Sequence, residues 1–121
     1  MVNTLVIPRI SNKFNSDAIA NTLWEFNICK VSRILLVPSS GNDENIAYIG
    51  VEQWLDCADF IVSLLENNRP VHIGFDNWTV LDASTFVSDS DKEVGPIKVT
   101  IYSDNYFKNI SQALFMIASI N

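Results

Sequence analysis

Residues 46–54 (IAYIGVEQW) have the composition of a central strand, with one uniformly apolar face and one mixed face. Side chains of a strand point alternately to its two faces. Ala47, Ile49 and Val51 therefore form one face, and Ile46, Tyr48, Gly50 and Glu52 the other. The first face suits a core and the second a displayed surface. Similar patterning predicts strands at 5–10 (LVIPRI), 31–37 (VSRILLV), 71–75 (VHIGF) and 97–102 (IKVTIY). Pro8 cannot donate a ladder hydrogen bond, so it is expected at a strand end or where no donor is needed.

Three segments carry helical spacing instead. Ile19, Leu23 and Phe26 recur along 18–27, with Trp24 beside the stripe, Ser16 as the expected N-cap and Asn27 as the stop. Cys57, Ala58, Ile61, Leu64 and Leu65 mark a second helix over 55–67, with Phe60 alongside and a break ending at Pro70. A third, over 105–120, has Tyr106, Ile110, Ala113, Leu114 and Ile117 on one face, with Phe107, Phe115 and Met116 off it. Its second half is apolar nearly all round, which predicts burial against its own domain or a partner. Between these elements, residues 38–45 read as a hairpin loop and 76–84 (DNWTVLDAS) as an extended or turned segment carrying Trp78.

The order β-α-β-β-α-β, followed by a strand and a helix, predicts an α+β fold. Its simplest form is a four-stranded antiparallel sheet with two helices on one face, the ferredoxin-like topology. Residues 1–84 make that domain, 85–96 an acidic linker, and 97–121 a C-terminal β-α extension. The other sheet face is then uncovered. It is made by Val6, Pro8, Arg33, Leu35, Ile46, Tyr48, Gly50, Glu52, His72 and Gly74.

Within that frame, Ile7-Pro8-Arg9 in the first strand, Val31-x-Arg33-Ile34 in the second, the strand ending in Trp54 and the late Asp76-x-Trp78 form a pattern. It resembles a group of RNA-recognition-motif-like (RRM-like) proteins of giant DNA viruses, over about residues 4 to 84. RNA-binding members of the wider RRM fold stack bases on exposed sheet aromatics. Laid on those motifs, Val6 replaces the strand-one aromatic, Glu44 the basic residue of strand three, Asn45 its glycine and Ile46 its first aromatic; Tyr48 keeps the second. The resemblance thus implies the fold with an eroded RNA surface. It also implies a viral protein of the host cytoplasm (viral factory) or the virion.

Composition narrows the functional classes. The chain has 121 residues, 48% of them apolar, enough for one domain with its own core. Eight Lys and Arg against fourteen Asp and Glu give a net charge of −6, and the basic residues are scattered. Phosphate binding rests on clustered Lys and Arg, so this balance is unfavourable for nucleic acid. Cys29 and Cys57 sit on apolar-patterned segments and read as reduced core thiols. No apolar run reaches the ~20 residues of a membrane span, and residues 1–11 lack a secretory signal pattern. His72 is the single histidine, so no histidine cluster for a metal is available. Asp89-x-Asp91-x-Glu93 begins like a calcium loop but has Val94 where the loop needs glycine and Thr100 where it needs an acid; it reads as a solvated linker. Acylphosphatases share the topology but need a phosphate cradle after strand one, and Ile10-Ser-Asn-Lys-Phe has no glycine to form one.

These observations predict a non-enzymatic interaction module with no cofactor. Its expected contact surfaces are the sheet face (Val6, Arg9, Arg33, Leu35, Ile46, Tyr48 and His72) and the C-terminal helix (Tyr106, Phe107, Ile110, Leu114, Phe115 and Ile117). The expected partner is another protein or a second copy, and no membrane. The alternative is single-stranded RNA held by Tyr48 with Arg9, Arg33 and His72. Burial of Val6, Ile46 and Tyr48 under the chain's own C-terminal segment would remove that RNA surface.

Overall fold

The computed structural model describes residues 2–38, 43–74, 76–86 and 97–108. Six strands form one antiparallel sheet: β1 (Thr4–Ser11), β2 (Cys29–Pro38), β3 (Glu44–Trp54), β4 (Val71–Ile73), β5 (Trp78–Asp82) and β6 (Lys98–Ile101). Their spatial order is β4-β5-β1-β3-β2-β6. Helices α1 (Ser16–Glu25), α2 (Asp59–Glu66) and the short α3 (Asp104–Lys108) complete the fold, with 3-10 turns at Asp56–Ala58 and Ala83–Thr85.

One hydrophobic cluster joins the helices to one sheet face. Leu5, Ile7 and Ile10 of β1, Ile34 of β2, Ala47 and Ile49 of β3 and Val80 of β5 meet Ile19 and Leu23 of α1 and Leu65 of α2. Strict alternation cannot put both Ile7 and Ile10, or both Val31 and Ile34, on that face, because each pair is three residues apart. β-bulges resolve the conflict. The β1–β3 register shifts between Ile7 and Ile10, and the β2–β3 register shifts around Val31 to Arg33. Each extra residue resets the alternation so that the next apolar side chain points inward again. Pro8 sits within the first bulge, where the ladder is interrupted and its missing N–H costs least.

Several expectations change. The sheet has six strands, not four. The strand beside β1 is Trp78–Asp82, within the segment expected to be extended or turned. Of residues 71–75, expected as the fourth strand, Val71–Ile73 form a strand at the sheet edge, paired with β5 through a turn with Gly74 and Asn77 in the left-handed region (φ 82° and 54°). The second helix starts later than expected, at Asp59, after a 3-10 turn. The N-cap of α1 is Asn15 rather than Ser16: its Oδ1 accepts from the Ala18 N–H at 2.8 Å, and Ser16 is buried inside the first turn. Asn27 does end the helix, in the left-handed conformation (φ 59°). Most of the loop after Pro38, most of the acidic linker (87–96, with Asp89, Asp91 and Glu93), and residues 109–121 lie outside the described residues, as does the Cys57 side chain.

An aromatic cluster fastens β6 and α3 to the body. Phe107 is buried, although it was expected off the apolar face of its helix; its ring lies 5.2 Å from Trp24 and 5.0 Å from Tyr106. The Tyr102 N–H donates to the Ser32 carbonyl, and its phenol O–H donates to Asp17 Oδ1 at 2.8 Å. The Tyr106 O–H donates to Asn21 Oδ1 at 2.7 Å. Burial, reinforced by the Asp17 contact, holds the Tyr102 phenol well above its ordinary ionisation range.

Cys29 is fully buried, and loss of solvation pushes its thiol from near 9 up to about 12. A raised pKa in the folded state leaves stability intact below the unfolded value and lowers it as pH rises, because only the unfolded chain ionises. Urea unfolding between pH 7 and pH 10.5 is expected to show stability falling above about pH 9, by at most ~1.4 kcal/mol per pH unit for this thiol. Cys29→Ala is expected to flatten that fall; an identical slope in the variant would contradict the assignment.

Candidate functional site

The face opposite the helices is where the expected contact residues converge. Register places Leu81, Val6, Tyr48, Leu35 and Val99 directly opposite one another, strand by strand, across β5-β1-β3-β2-β6. This row is apolar from one side to the other. Ile46 and Val37 oppose each other in a neighbouring row, and Gly50, Arg33 and Ile101 in the next.

The expectation that this face is uncovered holds on one side only. Val6 is 0% exposed and Ile46 7%, yet neither belongs to the core on the helix side. The chain leaves β5, turns through Ala83–Thr85 and brings Phe86 against Tyr48, ring centroids 6.3 Å apart. Tyr48 and Leu35 are half-buried. Toward β6 the face opens: Val99 is 56% and Ile101 79% exposed.

The basic residues do not assemble around Tyr48. Arg9 leaves the β1 bulge and donates through Nε and Nη2 to Glu44 Oε1, at 3.3 and 3.1 Å. Glu44 thus engages one of the cations expected to hold RNA. His72 is on edge strand β4, three strands from β3, where Nδ1 lies 3.4 Å from Thr79 Oγ1. Arg33 is exposed on β2 opposite Gly50. Of the C-terminal helix residues, Phe107 and Tyr106 are engaged within the chain, and Ile110, Leu114, Phe115 and Ile117 lie outside the described residues.

Two small clefts lie elsewhere. One, of about 280 Å³, runs between β1 and the β4–β5 turn and is lined by Arg9, Lys13, Phe14, Asp76 and Trp78 among others. There the Phe14 ring meets Trp78 edge-on at 5.2 Å and carries Lys13 Nζ 5.0 Å above it. The other, of about 240 Å³, lies at the start of α1 between Asn15, Ser16, Asp17, Lys98 and Thr100. Neither unites a nucleophile with a base and a group to orient it, which covalent catalysis requires. Among the described residues, no group of three or more His, Cys, Asp or Glu could hold a metal ion, and no helix is long and apolar enough to cross a membrane.

Comparison with protein-family models, curated proteins and solved structures found no match.

Residues the sequence reading left out of the site are Leu81, Phe86, Val99 and Ile101. The alternation of 97–102 already put Val99 and Ile101 on one face; what it lacked was the neighbouring strand. Gly50 has a steric reason. A Cβ there would lie 2.9 Å from Ser32 Oγ and 3.0 Å from Arg33 Cγ, and Ser32 Oγ donates to the Gly50 carbonyl at 3.2 Å. Gly50→Ala must turn the Ser32 hydroxyl away from the Gly50 carbonyl and shift the Arg33 side chain. It is expected to destabilise the protein by about 1 kcal/mol, the worth of the lost hydrogen bond, read as a lower urea midpoint; an unchanged midpoint would show that both side chains move aside freely.

Proposed function

We propose that this chain is a non-enzymatic interaction module, contacting protein through its open sheet margin, and that its central unit is RRM-like. The neighbours β5-β1-β3-β2, with α1 between β1 and β2 and α2 between β3 and β5, support a ferredoxin-like reading. In this reading β4 and β6 are additions at its two sides. The sequence resemblance supports placing it with the RRM-like proteins of giant DNA viruses, acting in the host cytoplasm or the virion.

One observation carries the choice of protein over RNA: two of the three stacking positions, Val6 and Ile46, are buried, and the third, Tyr48, has Phe86 against its ring. Base stacking contributes ~1–3 kcal/mol per base and needs an open aromatic face. Exposed apolar surface instead continues onto β6, and contiguous surface of that kind marks protein contacts.

The test is fluorescence anisotropy of a short randomised single-stranded RNA titrated with the protein at low and near-physiological salt. The expected result is no saturable binding at either salt. Saturable, salt-sensitive binding lost in Tyr48→Ala would replace this reading with the RNA-binding one.

A further inference from the structure

The outer edge of β6 carries more structural information than its exposure alone. The Tyr102 N–H donates to the Ser32 carbonyl, and the β2–β6 register pairs Ile34 with Thr100 and Leu36 with Lys98. In an antiparallel ladder, alternate residues turn their N–H and C=O groups to opposite sides of the strand. Lys98, Thr100 and Tyr102 therefore hydrogen-bond toward β2. Ile97, Val99 and Ile101 turn theirs outward, and among the described residues no strand pairs there.

The same three residues are the exposed apolar ones of this segment: Ile97 37%, Val99 56% and Ile101 79%. Val99 and Ile101 lie on the face opposite the helices, and Ile97 precedes β6 in the same alternation. Among the described residues this edge has no proline, no bulge and no charge on that face; its protections are its shortness, four residues, and one lysine. Its single charge, Lys98, is on the helix side, lining the cleft with Asp17.

We propose that this edge pairs with the same edge of a second copy, antiparallel about a two-fold axis through Val99. This rests on the interaction-module reading and names its partner. The register follows from self-complementarity. Opposed residues of an antiparallel pair share a face, so only like-facing residues can meet. Centring on Val99 sets Val99 against Val99, Ile97 against Ile101 and Ile101 against Ile97. Every outward N–H then meets a carbonyl, and all three exposed apolar residues gain an apolar partner. Lys98 faces Thr100 rather than another cation. Centring on Thr100 leaves Ile97 without an apolar partner and forms fewer hydrogen-bonded pairs. The contact is small compared with the ~1,200 Å² of stable interfaces, so the dimer dissociates on dilution.

Two measurements on the full chain test this. Sedimentation equilibrium across a wide concentration range is expected to show reversible monomer–dimer exchange. Val99→Pro, which removes only an outward N–H, should weaken it about tenfold or more; Ile101→Lys should do the same without touching the backbone. Under mild oxidation, Val99→Cys should form a disulfide dimer, because the paired Cα atoms are ~5.5 Å apart. Ile101→Cys should not, with its two copies ~14 Å apart. A monomer at every concentration, a dimer indifferent to both edge variants, or preferential cross-linking of Ile101→Cys would overturn the inference. A monomer that binds no RNA leaves the module reading standing with a different protein partner, whereas Tyr48-dependent RNA binding overturns the module reading itself.

Discussion

A sheet with apolar side chains on both faces must cover both, and here the helices cover only one. The row Leu81–Val6–Tyr48–Leu35–Val99 runs across the opposite face. Leaving it wet would forfeit roughly 25 cal/mol for each Å² of apolar surface. The chain meets part of that demand itself, by turning at Ala83–Thr85 and setting Phe86 against Tyr48. On this face Val6 and Ile46 are buried and Tyr48 is half-buried. What remains open, the β6 side, is where a partner has most to gain.

The rest of the structure serves to hold β6 in that position. Its inner edge is bonded to β2, and the chain beyond it is tied to α1 by the Tyr102 phenol on Asp17 and the Tyr106 phenol on Asn21. Phe107 closes the arrangement by packing on Trp24. These contacts place the extension on the same sheet as the first 84 residues. They also explain why Phe107 and Tyr106 face inward instead of forming a free docking face.

Much of this was legible in the residues. Alternation located β1, β2 and β3 and assigned Ala47 and Ile49 to the core, because strong β patterns run through those segments. Alternation alone hid the bulges: Ile7 with Ile10, and Val31 with Ile34, are spaced three apart, a signal that a strand contains an extra residue. β5 was obscured because Trp78 and Val80 are set in a polar stretch with an acid at either end, so only pairing with β1 reveals the strand. Phe86, next to a run of Ser, Asp and Glu, read as linker because local composition says nothing about what a residue crosses. The N-cap turned on one position: Asn15 and Ser16 both have capping side chains, and which of them is buried in the first turn is a tertiary fact.

Among the described residues, β6 presents one hydrogen-bonded edge and one free edge. Amide-resolved hydrogen exchange measures this directly. In dilute protein, the Thr100 and Tyr102 amides should exchange slowly while those of Val99 and Ile101 exchange fast; at high concentration the latter two should slow. Fast exchange at all four would mean that β6 is not held in the sheet. Equal protection at all four regardless of concentration would mean that the chain covers this edge itself and that no free margin exists.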